Sequence, residues 1–462
     1  MKTYQDWLRI GDREQGRAAF VRSVISDHKG SRAYQTAVIG NDYDRQQNTT
    51  IMRYQKILYD MAGRPHADQY SANYKIPSNF FHRFITQEAQ TLLGNGVTWK
   101  NNAGEKLGED FDTQLVKAAQ IALVEGCAFG FFNLDHVEVF RLTEFAPLYD
   151  EETGALMAGV RFWQIDSSRP LRATLYTMDG YTDYLWDTKN TPPEPWVKIE
   201  DGIYMKNPVA YKITVAETAA DGTEILDMEN YPEFPIVPLW GNQAHLSEIV
   251  GCRAGIDAYD LIKSGFANDL DNAQMYWILH NAGGMEDADL AQFLDRLKTV
   301  HAAVVDDEAG TGAEAHTVEI PSVAREAMLD RLRSDLYEDY MALDTKSIAG
   351  GAVTATQIQA AYEPFDAKLT ALEYCVIDFI QGILALAGVE DNPTFTRSRL
   401  INSTEEIQSV VQAATYLGEE YVTKKILTLL GDGDQAEDIL RTMTADELNR
   451  FPEGDDESNV QG

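Results

Sequence analysis

The sequence has few of the residue types and motifs on which catalysis and metal binding usually depend. Its 462 residues include three cysteines, Cys127, Cys252 and Cys375, which lie far apart and form no C-x-x-C pair. Such sparse cysteines favour reduced thiols in a protein made in a cytosol. The eight histidines lack the spacing of metal ligands. No segment matches the P-loop, H-E-x-x-H, G-x-S-x-G or the EF-hand loop, so we expect no metal, no cofactor and no enzymatic activity.

Basic residues and long hydrophobic runs are also scarce. There are 39 lysines and arginines against 73 aspartates and glutamates, a formal net charge of −34. A surface this acidic is unsuited to adhering to nucleic acid, because phosphate binding needs basic residues to displace counterions. The longest nearly apolar stretch, residues 376–389, contains Asp378 and Gln381 and is too short to span a bilayer. The polar N-terminus has no signal core, so we expect no membrane anchor and no secretion signal.

What the sequence does contain is enough apolar residues for a core and one long amphipathic segment. The hydrophobic content of 44% is that of a globular protein, and the length predicts two to four domains. Residues 354–387 have apolar side chains at alternating spacings of four and three, namely Ile358, Tyr362, Phe365, Leu369, Leu372, Val376, Phe379, Ile383 and Leu386. This spacing predicts a long helix with one apolar face. We expect Leu369, Leu372, Val376 and Phe379 to be its central packing residues.

The flanks of this helix carry clear backbone signals. Gly388 can end the helix in the left-handed conformation, and Pro364 should kink it because proline removes a backbone hydrogen bond. Directly upstream, residues 344–354 contain Gly350 and Gly351, which predict a mobile loop instead of a continued helix.

The first 230 residues change from helical to strand patterns. Helices are predicted up to about residue 95, including residues 49–61 and a helix after Pro77 with Ser78 as its N-cap, and one more over residues 109–125. Runs of aromatic and β-branched residues between turn signals predict an antiparallel meander from about 127 to 230. The fold class is therefore α+β.

Helical patterns return after residue 245. A helix to about residue 274 is predicted from a heptad stripe made of Ile249, Cys252, Ile256, Tyr259, Phe266 and Leu270. A compact α/β insert follows, with predicted strands at 275–281, 302–305 and 317–320 and a helix at 287–297. Pro321 opens a helix over residues 322–341. Helices at 404–417 and 420–430 and an acidic tail complete the chain.

Some weaker signals have two readings. Gly310, Gly312 and Ala315 match G-x-G-x-x-A, but a strand and not a helix follows, which favours a hairpin turn over a dinucleotide site. Acidic clusters at 269–271 and 306–308 could hold a metal, although such clusters are more often solvated. The aromatic residues of the meander could line a pocket or pack in a core.

Several segments, taken together and in order, resemble the portal proteins of tailed double-stranded DNA bacteriophages, in particular those of long-tailed phages. They are SANYKIPSNFF (71–81), LGNGVTW (93–99), FPIVPLWGN (234–242), IDAYDLIKSGFANDL (256–270) and IPSVAREAML (320–329). None is a catalytic signature, and the resemblance spans about residues 30 to 445.

The resemblance implies a portal fold, in which a mixed α/β wing of helices and antiparallel meander is followed by a two-helix stem, a small α/β clip, a long kinked helix and a helical crown. The implied boundaries are 1–245 for the wing, 246–274 for the first stem helix, 275–320 for the clip, 321–343 for the second stem helix, 344–354 for a tunnel loop, 355–399 for the long kinked helix and connection, 400–445 for the crown and 446–462 for an acidic disordered tail.

The resemblance also implies a function. Twelve copies would form a ring-shaped channel at one capsid vertex of the virion, through which double-stranded DNA is packaged and ejected without sequence specificity. The ring would nucleate procapsid assembly and dock the terminase motor. It would also bind head-completion adaptor proteins at the head–tail joint, and the major capsid and scaffolding proteins.

The implied tunnel loop faces the DNA and consists of Thr345, Lys346, Ser347, Ile348, Ala349, Gly350, Gly351, Ala352 and Val353. Lys346 and Lys263 are candidate positive contacts to DNA, or plain surface lysines. An acidic wall suits a channel for a polyanion, because attraction would oppose sliding. The alternative is a soluble acidic α/β enzyme or binding protein with a site in the aromatic-rich meander. A large closed ring built from heterologous contacts would separate the two.

Overall fold

The computed structural model describes residues 2–11, 13–59, 63–68, 72–218, 224–271, 275–280, 312–317, 321–348, 355–398, 407 and 410–430. The chain divides into two compact units. Unit 1 comprises Met1–Ala342 and Ala367–Thr396, and unit 2 comprises Leu343–Asp366 and Arg397–Gly462. The described residues combine helices with antiparallel sheets, so the fold class is α+β, as expected.

The described helices are α1 (Tyr4–Leu8), α2 (Glu14–Lys29), α3 (Arg32–Asp44), α4 (Thr49–Arg53), α5 (Phe80–Leu93), α6 (Phe111–Glu125), α7 (Ile249–Asp271), α8 (Ser322–Tyr340), α9 (Thr345–Ile348), α10 (Ala355–Ala387) and α11 (Glu419–Leu430). The described strands are β1 (Ile57–Tyr59), β2 (Pro65–Ala67), β3 (Val97–Thr98), β4 (Cys127–Asn133), β5 (His136–Arg141), β6 (Phe145–Tyr149), β7 (Leu156–Trp163), β8 (Leu171–Thr177), β9 (Gly180–Trp186), β10 (Val197–Glu200), β11 (Ile203–Met205), β12 (Lys212–Thr218), β13 (Glu224–Glu229), β14 (Ile236–Trp240), β15 (Met275–His280), β16 (Gly312–Thr317) and β17 (Thr394–Phe395).

Three separate antiparallel sheets replace the single meander predicted over residues 127–230. One has six strands in the order β10-β11-β9-β8-β7-β6, one has three in the order β14-β4-β5, and β12 pairs with β13 alone. The strands are antiparallel as predicted, and β6 to β9 are consecutive neighbours. They do not form one meander with β4, because β14 pairs with the first five residues of β4, from Ile236 opposite Phe131 to Trp240 opposite Cys127. Turn signals report only neighbouring strands, so they cannot reveal such a distant pairing.

The six-stranded sheet forms one core with helix α2. The buried apolar side chains of this core include Phe20, Val21, Val24, Ile25, Leu148, Val160, Phe162, Leu175, Tyr184 and Trp186. Each buried side chain of this size contributes about 1.5–3 kcal/mol relative to exposure. The core therefore fixes the N-terminal helices on one face of the sheet.

Two glycines allow the second sheet to pack closely. Helix α6 passes into β4 through Gly126, whose φ of +94° is a left-handed conformation that glycine adopts readily. At Gly130 of β4, a Cβ atom would lie 2.5 Å from Cζ of Phe379. A side chain at Gly130 would therefore force β4 away from helix α10.

Two predictions in the first hundred residues were wrong. The helix expected over residues 49–61 ends at Arg53, because Ile57–Tyr59 pairs with Pro65–Ala67 as a short hairpin. The N-cap of α5 is Asn79 and not Ser78, because the backbone N–H of Ser78 donates to Asp260 at 2.8 Å.

Helices α7 and α8 flank the two-stranded pair β15–β16, in which Met275 lies opposite Thr317. The first strand of the insert is where it was predicted. The next described strand, Gly312–Thr317, begins before the predicted range 317–320, of which residues 318–320 lie outside the described residues. Gly312 and Ala315 therefore belong to a strand and not to a turn. Their pairing partners come from β15, beyond the range of local motif reading. The helix predicted at 287–297 and the strand at 302–305 lie outside the described residues.

Helix α10 matches its predicted range. Tyr362, Phe365, Leu369, Leu372, Val376, Phe379, Ile383 and Leu386 of the apolar stripe are all buried, and Ile380 and Leu384 widen the buried face. Gly388, at φ +66°, follows the helix in the predicted left-handed conformation. By length and composition alone α10 could cross a membrane, but this apolar face is covered by the protein, as in the core helix of a globular fold.

Unit 2 contains α9, the first turns of α10, and α11. The loop predicted over residues 344–354 is helical over Thr345–Ile348, because the Asp344 carboxylate accepts the backbone N–H of Lys346 at 3.0 Å and so caps a helical turn. Residues 349–354 lie outside the described residues. Arg397 pairs with Asp366 at 3.2 Å. Helix α11 covers the predicted residues 420–430, whereas the predicted tail at 446–462 lies outside the described residues.

Candidate functional site

The residues predicted as a tunnel loop are described only in part. Thr345 and Lys346 are exposed at the start of α9, and Ser347 and Ile348 complete that helix. Ala349, Gly350, Gly351, Ala352 and Val353 lie outside the described residues. The chain enters this segment just after α8, where Met341 adopts the left-handed conformation with φ +60°.

The second predicted DNA contact, Lys263, lies on α7. Its side chain is half-buried, and its Nζ atom lies 5.9 Å from the ring centroid of Tyr259. Part of the lysine therefore packs along an aromatic ring of its own helix, near the outer limit of a cation–π contact.

The predicted packing residues of α10 come together on one face. Leu369, Leu372, Val376 and Phe379 have exposed fractions of 0%, 1%, 0% and 2%. They belong to unit 1, where Phe379 meets β4 at Gly130. These four side chains are therefore shielded from solvent and act as packing residues, as predicted.

Helix α7 is attached to the N-terminal helices by buried polar side chains that sequence reasoning missed. Asp260 is fully buried, and its carboxylate accepts from Nδ2 of Asn48 at 2.5 Å and from the backbone N–H of Ser78 at 2.8 Å. One turn later, Oγ of Ser264 accepts the backbone N–H of Ile76 at 3.0 Å. Burial raises the pKa of Asp260, whereas the hydrogen bonds from Asn48 and Ser78 oppose that shift.

A second polar contact lies one turn before the first. The carboxylate of Asp257 accepts from the hydroxyl of Tyr43 and, at 2.8 Å, from Oγ1 of Thr50. The predicted stripe on α7 is therefore only half right. Ile249, Cys252 and Ile256 are buried, but Leu270 is 63% exposed. The buried face continues through Asp260 and Ser264. Because these side chains are polar, a pattern based on apolar residues does not include them.

Helices α7 and α8 approach each other closely. A Cβ atom at Gly255 would lie 2.8 Å from Cδ2 of Leu336, so glycine sets the crossing distance. Towards the other end, Arg325 and Asp269 form an ion pair at 2.5 Å. The last turn of α8 packs on α5, because the ring of Tyr340 stacks on Phe84 with a centroid distance of 4.5 Å. These contacts hold α7 and α8 to each other and attach them to the rest of unit 1.

A second group of buried and partly buried side chains, which we call the Glu88 cluster, consists of Glu88, Glu248, Tyr340 and Lys368. The Tyr340 hydroxyl donates to Oε2 of Glu88 at 2.8 Å. The Nζ atom of Lys368 lies 2.6 Å from Oε2 of Glu248 and 3.6 Å from Oε2 of Glu88. It also lies 3.4 Å from the ring centroid of Tyr340. One ammonium therefore serves two carboxylates and an aromatic ring.

Burial dominates the electrostatics of this cluster. It raises the pKa of Glu88 to about 7; the charge of Lys368 lowers that pKa and the charge of Glu248 raises it. Burial also raises the pKa of Tyr340 well above its ordinary value, so the phenol stays a hydrogen-bond donor. Glu88 is only 1% exposed and Tyr340 only 3%. The cluster joins α5, the start of α7, the end of α8 and α10 through buried polar contacts.

In the part of the chain that the structure describes, no group of three or more histidines, cysteines, aspartates or glutamates is placed to hold a metal ion. The aromatic residues of the sheets pack mainly on one another, as Phe129 does on Phe145 with a centroid distance of 4.6 Å. These aromatic side chains therefore contribute to the cores of the sheets.

Comparison with protein families identifies the family to which this chain belongs. Residues 39–441 match the family model described as "Phage portal protein, SPP1 Gp6-like". The chain belongs to this family. The match includes α7, the β15–β16 pair, α8, α9 and α10, so the whole region described above lies inside it. As a portal protein, the chain is a component of the phage particle at the portal vertex.

Two curated relatives carry the same name. The portal protein of Bacillus phage SPP1 is 24% identical over 433 residues, which cover 86% of this chain and 80% of the relative. The portal protein of Clostridium phage phiCD119 is 28% identical over 181 residues, which cover 37% of this chain and 40% of the relative.

Solved structures similar to the portal chain come from gene transfer agent (GTA) particles. One is the neck of an empty particle computed with C6 symmetry, with a TM-score of 0.39 and 10% identity over 77% of this chain and 90% of that one. Another is the neck of the native particle computed with C12 symmetry, with a TM-score of 0.36 and 13% identity over 76% and 89%.

Proposed function

We propose that this portal protein assembles into a closed ring, with twelve copies around a channel, and that double-stranded DNA passes through that channel during packaging and ejection. The observation that carries the proposal is the order of elements inside the family match. Two paired helices, α7 and α8, flank a small insert, and the candidate tunnel loop and the long helix α10 follow directly.

Within this ring we assign residues 1–245 to the wing, 246–274 and 321–343 to the stem, 275–320 to the clip and 344–354 to the tunnel loop. Residues 355–399 would form the long kinked helix and its connection, 400–445 the crown and 446–462 a disordered tail. The extents of α7, α8 and α10 support the stem and long-helix assignments, since each helix lies inside its proposed segment.

The charge of the chain supports a sliding contact with DNA. A net charge of −34 on every copy makes acidic residues at the channel wall part of a repulsive girdle. Such a wall would not trap the phosphate backbone. Lys346, and Lys263 where it is accessible, would supply isolated positive contacts. Neither lysine would read the DNA sequence, because contacts to phosphate carry no base information.

The proposed partners follow from the position of such a ring. They are the terminase motor, which would hydrolyse ATP during packaging, head-completion adaptor proteins, and the major capsid and scaffolding proteins. The ring itself would act without catalysis of its own and would nucleate procapsid assembly. Synthesis would take place in the host cytoplasm.

The mass of the purified chain tests the ring. We expect native mass spectrometry to give about twelve times the chain mass of 51.7 kDa, and negative-stain images to show a ring with a central hole. A stable monomer or dimer under assembly conditions would contradict the proposal. It would favour the alternative of an acidic enzyme or binding protein with a site among the sheets.

A further inference from the structure

Lys368 joins the two points at which the chain leaves and re-enters unit 1. The chain leaves at Ala342, just after Tyr340, and re-enters at Ala367, just before Lys368. Between them lies the segment 343–366, which includes the candidate tunnel loop. Nζ of Lys368 donates to the backbone carbonyl oxygen of Tyr340 at 3.2 Å. One side chain therefore closes the base of this segment.

Four charged or titratable side chains from α5, α7, α8 and the residue before α7 face this contact. Glu88 comes from α5, Glu248 from the residue before α7, Cys252 from α7 and Tyr340 from α8. Lys368, from α10, is the one cation that these contacts place among them. Two carboxylates thus compete for a single ammonium in a site where Glu88 is 1% exposed.

We propose that Lys368 is a positioning residue that clamps the base of segment 343–366, and that the proton on Glu88 sets the strength of this clamp. This inference rests on the proposed function for the role of the segment, because only in a DNA channel would the segment act as a tunnel loop.

The direction of the effect follows from charge balance. With Glu88 protonated, Lys368 pairs with Glu248, and the buried cluster has no net charge. When Glu88 loses its proton, the cluster holds two negative charges for one positive charge in a site shielded from water. Any opening that brings water to Glu88 is then favoured. The clamp is therefore strongest at mildly acidic pH and weakens as the pH rises through about 7, the pKa of Glu88.

Hydrogen–deuterium exchange of the full chain without DNA tests the clamp. The readout is the protection of residues 343–348 and 355–366, corrected for the intrinsic pH dependence of exchange. We expect this protection to fall by about tenfold between about pH 6 and pH 8.5 in the wild-type chain. In Glu88→Gln, which keeps an acceptor for Tyr340 but cannot ionise, it should not change with pH.

Variants of Lys368 provide the second arm. Lys368→Met should lower the protection of both flanks at every pH by at least about tenfold, and Lys368→Arg should restore most of it because the charge returns. The matched control is Asp257→Asn, which alters a different contact of α7 and should leave both flanks unchanged. If Lys368→Met fails to fold, Glu88→Gln alone decides the test.

Two results would overturn the clamp. One is protection of the flanks in Lys368→Met equal to that of the wild-type chain. The other is a pH dependence that persists in Glu88→Gln. Because no DNA is present, neither result bears on whether the segment contacts DNA. Conversely, a failure of the segment to contact DNA would remove the proposed channel role and leave the clamp intact.

Discussion

Single buried polar residues attach the stem candidates to the rest of unit 1. In the sequence, Asp260 is one acidic residue among several on α7 and looks like part of a solvated face. In the structure it is fully buried and accepts from Asn48, which lies 212 positions earlier. Local periodicity cannot distinguish Asp260 from a solvent-facing aspartate, because the partner that justifies its burial is far away in the chain.

The same reasoning applies to the Glu88 cluster. Tyr340 and Glu88 are 252 positions apart, and Lys368 comes from a helix whose apolar stripe was predicted without it. The composition gives one hint, since Lys368 is an isolated cation between Leu369 and Ala367 on a largely apolar helix. The sequence does not, however, identify Glu88 and Glu248 as the partners of Lys368.

At the residue scale, His28 predicts a pH dependence of stability. Its Nε2 lies 2.7 Å from the carbonyl oxygen of Leu142, so Nε2 carries the proton and donates. The Nδ1 atom is buried and has no hydrogen-bond partner among the described residues, so a proton added there would have no acceptor. Burial lowers the pKa of His28. The folded state therefore disfavours the charged imidazole, and stability should be lost as the pH falls below about 6.5.

Chemical denaturation at several pH values measures this effect. The wild-type chain should lose up to about 1.4 kcal/mol of unfolding free energy per pH unit as the pH falls below the ordinary pKa of histidine. In His28→Gln, whose amide can still donate to Leu142 but does not titrate, that part of the loss should vanish. Equal pH profiles for the two proteins would show that His28 does not control this range.

Individual elements were predictable where one buried face dominates. Helix α10 follows its stripe from Tyr362 to Leu386, and Gly388 ends it as predicted. Elements that depend on a distant strand were not predictable. The pairing of β1 with β2 ends at Arg53 the helix that was predicted over residues 49–61, and β14 pairs with β4, which lies far away in the sequence. In each case pairing between strands outweighed the local pattern.

At the scale of one helix, the stripe on α10 can be tested by a buried charge. Leu372 is 1% exposed, so Leu372→Asp would place an unpaired carboxylate in the core. We expect a loss of at least about 4 kcal/mol in the free energy of unfolding, or failure to fold and assemble.

The control lies two residues further along the same helix. Tyr374 is 58% exposed, and Tyr374→Asp should change the unfolding free energy by only about 0.5 kcal/mol. Normal stability and normal assembly of Leu372→Asp would show that the stripe is not buried in the protein.

The candidate tunnel loop supplies a second prediction at this scale. It is based on the sequence alone, because Gly350 and Gly351 lie outside the described residues. Replacing both with proline should restrict the backbone there. Rings should still form, since the change lies outside the described packing contacts, but DNA packaging into heads should be blocked. Packaging at the wild-type level by intact variant rings would show that DNA packaging does not require the conformational freedom of glycine at positions 350 and 351.

At the scale of the whole molecule, the acidic charge and the order of elements together support a DNA channel. A chain with a net charge of −34 would be poorly suited to static DNA binding, but the same charge lowers the friction on DNA that must move past it. The sequence predicted this role through an ordered set of segments. It could not show which side chains hold the helices, because those contacts join distant parts of the chain.

We propose that residues 344–354 of each copy face the DNA, and photo-crosslinking can test this placement. A photoreactive amino acid would replace Lys346, which is exposed at the start of α9. Crosslinking would then be carried out on DNA-filled heads that contain this variant. The control position is Ile165, which is 82% exposed and belongs to the proposed wing. We predict a protein–DNA adduct at position 346 and none at position 165. Filled heads that give no adduct at position 346, or equal adducts at both positions, would contradict the placement of residues 344–354 against the DNA.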